Sequence, residues 1–292
     1  QSFIHANETT RGVGGAIAVL SSGTVNLDLT NNQAYNNTAQ AEAPLVDTPG
    51  GGLLAAITLG DSSVLRIRST NNTYVDNQAT CATCTGGGFL YDSSAGGTIG
   101  APHLNDIIFF NESPNAGEEI EIGSVGNTTV SIRFSDIENE EGDLDPSDVG
   151  TGVGKINLGE GLLTVDPQFF DHSRRDYRIG SSSPVANAGT KTSKATVAGV
   201  EISPPSVDIL GRPRDISMGA REPDPASPPG GAEPPPPPTP QPSPIIVERG
   251  GDCSIAGPVT LGAGGVTGAL LPLLPAVALG LKRLLRKKKG HS

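Results

Sequence analysis

Hydrophobic and polar residues alternate in short bursts along the first half of the chain. In TVNLDLTNN (24–32), Val25, Leu27 and Leu29 fall on one side while Asn26 and Asp28 fall on the other. In SVLRIRSTNN (63–72), Leu65 and Ile67 oppose Arg66 and Arg68, and in TVSIRFSDI (129–137), Ile132 and Phe134 flank Arg133. A period of two marks a strand with one buried face. These segments therefore predict short strands with their charged residues turned outward. Polar turns follow them: AYNNTA (34–39), YVDNQA (74–79) and FFNES (109–113). The opening SFIHANETT reads as the end of the same turn from a preceding coil.

The bursts recur. GGAIAVL starts at Gly14, GGGLLAA at Gly50 and GGGFLYD at Gly86, a period of about 36 residues, in the range of stacked repeats. One such unit cannot bury its apolar face alone, whereas stacking makes a continuous narrow core. A β-sandwich also uses short alternating strands, but near-equal spacing favours a solenoid. The expected fold is all-β, a right-handed parallel β-helix, with residues 14–137 in stacked coils. Val25, Leu27, Leu29, Leu65, Ile67, Ile132 and Phe134 are expected inside. With 39 Gly and 25 Pro among 292 residues, turns are frequent and long helices are not expected. The net charge of −11 includes six basic residues confined to the last eleven, so the rest is more acidic still. Such a surface repels phosphate backbones, and nucleic acid is not an expected partner.

Two stretches carry a resemblance. VDPQFFDHSRRDYRIGSSSPVANAGT (165–190) holds a DP-x-F element (Asp166, Pro167, Phe169), a D-Y-R-I strand (Asp176–Ile179) and an S-P-V-A-N-A-G turn (Ser183–Gly189). VDILGRPRDISMGAREPD (207–224) adds D-x-x-G-x-P-R (Asp208–Arg214) and a closing G-A-x-E (Gly219–Glu222). Together they resemble the ending of the choice-of-anchor Q domain family, and the upstream coils resemble pectin-lyase-like β-helix proteins of bacterial surfaces. Val185 and Asn187 depart from the usual alanine and aspartate. The resemblance implies the β-helix and a C-terminal anchor, and it implies no particular activity.

Chemistry has to be read from the residues themselves. His5, His103 and His172 stand far apart beside polar residues and read as solvent-exposed turn histidines; His291 lies in the tail. Glycoside hydrolysis needs two carboxylates roughly 5–10 Å apart, and stacking could bring Asp28 near Asp61 or Asp76. Arg66, Arg68 and Arg133 could serve a lyase as bases, or be surface charges that keep strand edges soluble. The acidic run DIENEEGDLDPSD offers Glu141, Asp143, Asp145 and Asp148 as oxygen ligands for calcium. Its spacing does not meet the EF-hand loop, and a solvated loop is the competing reading. Cys81 and Cys84 (CATC) lack two further soft ligands for zinc, so a local disulfide is expected in an exported chain. Sequons such as Asn36-Asn37-Thr38 read as asparagine turns.

Beyond residue 222 the character changes. The proposed organisation is coils at 1–159, a closing module at 160–222, a linker at 223–252 and an anchor segment at 253–292. The linker, with PDPASPPGGAEPPPPPTPQPSP at 223–244, should be disordered and extended, reaching on the order of 70 Å at about 3.1 Å per residue. The anchor contains one apolar stretch at about 259–281, long enough for a transmembrane helix, and a basic tail at 282–289. That tail should stay cytoplasmic and leave the coils outside. Gly-Gly-x-Cys, an apolar helix and a basic end resemble the cysteine-containing C-terminal sorting signals of Gram-negative bacteria. The resemblance implies an envelope sorting protease as partner, with Cys253 marking processing and lipid attachment. A plain membrane anchor is the alternative. The expected protein is exported and held at the cell envelope or surface. It is read as binding polysaccharide or cell-surface glycans without catalysis, the alternative being a polysaccharide lyase or glycoside hydrolase.

Overall fold

The computed structural model describes residues 2–10, 13–40, 50–93, 95–115, 117–123, 127–138 and 155–223. All of them belong to one compact unit, Gln1–Gly257. The architecture is all-β and its main sheets are parallel. Successive turns of the chain lay strands on three main sheets, and the two-residue strands Glu8–Thr9, Thr38–Ala39 and Gln78–Ala79 make a small fourth one. The first holds Ile17–Ser21, Leu54–Thr58, Phe89–Asp92 and Ile120–Gly123. The second holds Thr24–Thr30, Val64–Thr70, Thr98–Leu104, Asn127–Arg133 and Lys155–Leu158. The third is built from the turn regions: Ser2–His5, Asn32–Tyr35, Thr73–Val75, Ile107–Phe109 and Asp136–Ile137.

Parallel register stacks like on like. Val25 lies beside Leu65, which lies beside Ile99, and Leu27 beside Ile67. One apolar core runs through the stack, with Leu65, Ile99, Val130 and Ile132 fully buried and Phe89, Tyr91 and Tyr74 filling its wider parts. Val25, Leu29 and Ile67 join them as expected. Leu27 is only partly buried, because its strand is the edge of the second sheet and has a neighbour on one side only. Phe134 departs from the expected placement. Its backbone is left-handed (φ 46°), which breaks the two-residue alternation, and its ring packs outside the main core against Leu104, Ala195 and Ile202.

The glycine clusters have a steric cause. Gly14, Gly51 and Gly86 hold φ near +70°, and Gly15, Gly52 and Gly87 stack so closely that a Cβ on either of the first two would lie 2.0 Å from the next glycine's carbonyl oxygen. Only glycine fits such a corner.

The polar turns are mostly internal. In each repeat a left-handed residue precedes an inward-pointing one, twice and five residues apart. The left-handed residues are Asn31, Asn71 and Asn105 at one corner and Asn36, Asp76 and Phe110 at the next. After glycine, asparagine and aspartate adopt that backbone at the lowest cost. The residues that follow point inward and form two ladders. In one, Asn7 donates to Asn37 Oδ1 (2.9 Å), Asn37 to Asn77 Oδ1 (2.7 Å), Asn77 to Asn111 Oδ1 (2.8 Å), and Asn111 to Glu119. In the other, Asn32 donates to Asn72 Oδ1 (3.0 Å) and Asn72 to Asp106 Oδ1 (3.1 Å), while the Asp106 N–H donates to Ser135 Oγ. Identical side chains at the strand spacing satisfy one another in this way.

Residues 160–223 turn back along the outside. Phe169–Asp171 and Asp176–Ile179 pair antiparallel, as do Ala195–Val197 and Val200–Ile202. Ile179 of the first hairpin, Val185 of the following turn and Met218 near the end of the segment are buried against Ile107 and Phe109, the outward residues of the third sheet. Polar contacts fix the rest. Asn31 Nδ2 donates to Val207 O (2.6 Å), Asn71 Nδ2 to Ser217 O (3.2 Å) and Asn105 Nδ2 to Thr190 O (2.7 Å). Arg214, 3 % exposed, donates to Asn31 Oδ1 (2.8 Å), Glu222 Oε1 (3.0 Å) and Gly219 O (2.8 Å). The D-x-x-G-x-P-R and G-A-x-E motifs are thus two halves of one clasp.

Candidate functional site

The densest group of chemically capable side chains is sealed inside. His103, expected to be a solvent-exposed turn residue, is fully buried. It occupies the inward position of its strand, in register with Ser69 and Ile132. Its Nδ1–H donates to Asp106 Oδ2 (3.0 Å), and Nε2 accepts from Tyr91 Oη (3.0 Å), the tautomer that satisfies both partners. Ser69 Oγ donates to the same Asp106 oxygen (2.6 Å) and accepts from Tyr74 Oη (2.8 Å) and Asn72 Nδ2 (3.0 Å). Burial, reinforced by the Asp106 charge, holds both tyrosine hydroxyls well above their ordinary pKa. Serine, histidine and aspartate are all present, but Ser69 bonds to Asp106 and not to His103. Every member is also closed to solvent. The group ties the second ladder into the core and does not offer a nucleophile to a substrate.

A second buried group lies near the C-terminal end of the ladders. Burial raises the Glu119 carboxyl well above its usual range against two hydrogen bonds from Asn111, and Glu138 alongside raises it further. Asp136 is fully buried. Its Oδ1 accepts from the Val165 N–H (3.1 Å) and its Oδ2 has no partner among the described residues. Burial first, then Asp166 and Glu138, push its pKa up to about 7 against the Val165 hydrogen bond. A carboxyl with a raised native pKa contributes its full stability below the unfolded value, and that contribution is lost as pH rises through the native one. Stability should therefore fall between about pH 4 and pH 7, by at most about 1.4 kcal/mol per pH unit from this group. Asp136→Asn should flatten that part of a urea-midpoint-versus-pH curve, and an unchanged slope would remove Asp136 as its source.

On the outer surface one constellation is both polar and aromatic. Asp76, at a left-handed corner, accepts from Tyr177 Oη (2.6 Å) and from His172 Nε2 (2.9 Å to each oxygen). Asn36, one coil earlier at the same corner, donates to Tyr177 Oη (3.3 Å). Rings continue on both sides. His5 stacks on Tyr35 at 4.9 Å and 8°, Tyr35 meets Tyr177 at 4.9 Å, and His172 stacks on Phe110 at 4.4 Å. Tyr177 is buried, and burial plus Asp76 raise its hydroxyl pKa. His5, Tyr35, Phe110 and Phe169 are half-buried, and the His172 side chain is 43 % exposed. Burial lowers the His5 pKa and the Arg175 guanidinium lowers it further, while burial raises Tyr35 against the same guanidinium.

The remaining candidates are scattered. Asp28 lies on a strand, Asp61 in the turn before Val64–Thr70 and Asp76 at a corner, so the carboxylates considered for hydrolysis occupy different places in the repeat. Asp28 lies opposite Arg68 and pairs with it at 2.9 Å. Arg133 pairs with Glu160 and donates to Lys194 O (2.8 Å). Cys81 and Cys84 are joined in a disulfide, and Asn115 donates to the carbonyls of Ala82 (3.1 Å) and Cys84 (2.7 Å). Glu141, Asp143, Asp145, Asp148 and Cys253 lie outside the described residues, as does the apolar stretch at 259–281. Among the described residues no three His, Cys, Asp or Glu converge as metal ligands, and no helix is long and apolar enough to cross a membrane. No family model, curated protein or solved structure matches the chain.

Proposed function

We propose that the chain is a surface-displayed protein of the choice-of-anchor Q type. In this reading it is a right-handed parallel β-helix on a proline-rich stalk that binds glycans or neighbouring surfaces without catalysis. The observation that carries the reading is the contrast between the two polar groups. The inner Asp106–His103–Tyr91 group is closed and internally satisfied, whereas the outer Asp76 corner leaves the rings of His5, Tyr35 and His172 partly exposed beside polar groups. Aromatic faces with polar groups at their edge suit sugar rings, which present C–H faces and hydroxyl rims. Arg68 and Arg133 favour binding over lyase chemistry, because a guanidinium held in a carboxylate pair is a poor base.

The test is a glycan array run beside assays for reducing ends and unsaturated products. Binding without turnover supports the proposal; turnover would replace it with a lyase or hydrolase. Calcium at Glu141, Asp143, Asp145 and Asp148 belongs to the same proposal, and a calorimetric titration without heat at millimolar calcium would remove it. For the anchor we propose processing near Cys253, with retention through that thiol. Intact-mass analysis of surface-extracted protein should give a chain ending near Cys253 without the basic tail. A mass ending at Ser292, unchanged in Cys253→Ser, would mean a plain membrane anchor.

A further inference from the structure

We propose that the Cys81–Cys84 disulfide is a thiol–disulfide exchange site, entered at Cys81 by a partner that presents two thiols. The two sulfurs are unequal. Cys84 is fully buried, whereas Cys81 is partly exposed and flanked by the exposed residues Thr80, Ala82 and Thr83. An incoming thiolate therefore meets Cys81, and the course of exchange depends on which sulfur is attacked. No residue from 77 to 91 is charged, so this stretch itself offers an anionic thiolate no repulsion, although the whole chain carries −11. Hydrogen bonds shape the loop independently of the cross-link. The Cys84 N–H donates to Cys81 O (3.0 Å), and Asn115 Nδ2 donates to Ala82 O (3.1 Å) and Cys84 O (2.7 Å). The Gly51 N–H, one coil earlier, donates to Thr85 O (3.1 Å). The cysteines are only three positions apart, the spacing at which a cross-link removes least entropy from the unfolded chain. The bond thus adds little to stability, and the loop keeps both cysteines in place once it opens.

Exchange also needs a donor for the sulfur that leaves. Thr85, the residue after Cys84, has a buried hydroxyl without a hydrogen-bond partner among the described residues. A spare O–H one position from the buried cysteine suits the thiolate that Cys84 becomes, and it gives that orphan hydroxyl a use. Thr83 Oγ1, 3.8 Å from Cys81 Sγ, supplies a second hydroxyl to the outer sulfur. In the first step the partner thiolate attacks Cys81 Sγ and forms a mixed disulfide. The Cys81–Cys84 bond breaks, its electron pair leaves on Cys84, and Cys84 takes up a proton. In the second step the partner's other thiolate attacks its own sulfur in the mixed disulfide, and Cys81 leaves as a thiolate that is protonated. The partner ends as a disulfide, oxidised by two electrons, and the loop ends as two thiols. A single thiol stops at the first step, because Cys84, held beside Cys81, attacks back and expels it. Among the described residues no helix begins at the motif, so no helix dipole favours a thiolate at Cys81. The loop is accordingly the disulfide that is attacked and not the attacking thiol.

The test uses the full chain in detergent, without urea, carrying Cys253→Ser so that this pair holds the only cysteines. Dithiothreitol, a dithiol, should reduce the pair completely. Reduced glutathione, a monothiol, should leave most chains disulfide-bonded, with any glutathionyl mass on Cys81. After reduction, iodoacetamide should label Cys81 about tenfold faster than Cys84, read from fragment masses that separate the two. The thermal midpoint of the reduced chain should lie within a few degrees of the oxidised one. With oxidised glutathione, Cys84→Ala should take up a glutathionyl group on Cys81 about tenfold faster than Cys81→Ala does on its buried thiol. Where either variant lacks a thermal transition, the labelling rates of the unmutated pair decide alone. Reduction that requires urea, equal labelling of the two cysteines, or unfolding of the reduced chain would each make the pair a structural cross-link and overturn the proposal. None of these outcomes bears on glycan binding.

Discussion

Asn77→Ala is expected to destabilise the folded chain by on the order of 4 kcal/mol, since leaving a buried polar group unsatisfied costs ~1–3 kcal/mol each. Asn77 Oδ1 accepts from the Asn37 N–H (3.2 Å) and Nδ2 (2.7 Å), and its own amide donates to Asn111 Oδ1 (2.8 Å) and Ala34 O (3.3 Å). Alanine removes all four bonds and leaves the Asn37 amide and the Ala34 carbonyl, both buried, without these partners, while Asn111 Oδ1 keeps the Asn77 N–H (3.0 Å). The adjacent turn residue is the control. Asn36 sits at the outer corner with a left-handed backbone (φ 53°), and Asn36→Ala should cost only about 1 kcal/mol, because alanine lacks the short polar side chain that eases that backbone and loses only the long bond to Tyr177 Oη (3.3 Å). Urea midpoints that rank the two variants equally would mean the ladder contributes no more than the turn.

Arg214→Ala is the second large effect, about 3–5 kcal/mol, the usual range for breaking one side of a buried ion pair. The mutation strands Glu222, which is 9 % exposed, and leaves Asn31 Oδ1 and the Gly219 carbonyl without their donor. Lysine should restore little, because one ammonium cannot reproduce a guanidinium serving partners in several directions. Limited proteolysis should show new cleavage within 190–222 before the coils are cut. Protection equal to wild type in Arg214→Ala would show that apolar contacts at Val185 and Met218 hold the segment unaided.

The strands were legible because alternation and burial share one cause. Val25, Leu65, Ile67 and Ile132 could be placed inward by counting in twos. The same count, carried from Ile99 through Ala101, puts His103 on the buried face. Histidine is more often part-exposed than fully buried, and that preference of the residue type masks its position in the count. The ladders were harder. Asn-Asn doublets carry the composition of a surface turn, and their inward members are distinguished only by recurrence. Residues 31–32 and 36–37, 71–72 and 76–77, and 105–106 and 110–111 repeat one five-residue spacing, which is the signal that could have exposed them. Tyr177 and Asp76 lie 101 positions apart and meet only because the closing segment folds back, which no local pattern records. Arg214 and Glu222 stood out as motif residues, but their partner Asn31 lies 183 positions away.

The returning segment bears on how the molecule comes apart. A stack of coils held only by nearest neighbours loses its end units one at a time, since each interface opens independently of the next. Here Thr190 is bonded to the corner of one coil, Ser217 to that of the coil before it, and Val207 and Arg214 to the one before that. Fraying at either end must then lift a strand of chain that is also fastened in the middle. Partial opening is thereby penalised, and hydrogen exchange at the Asn31, Asn71 and Asn105 corners should proceed through a single shared opening event rather than three graded ones.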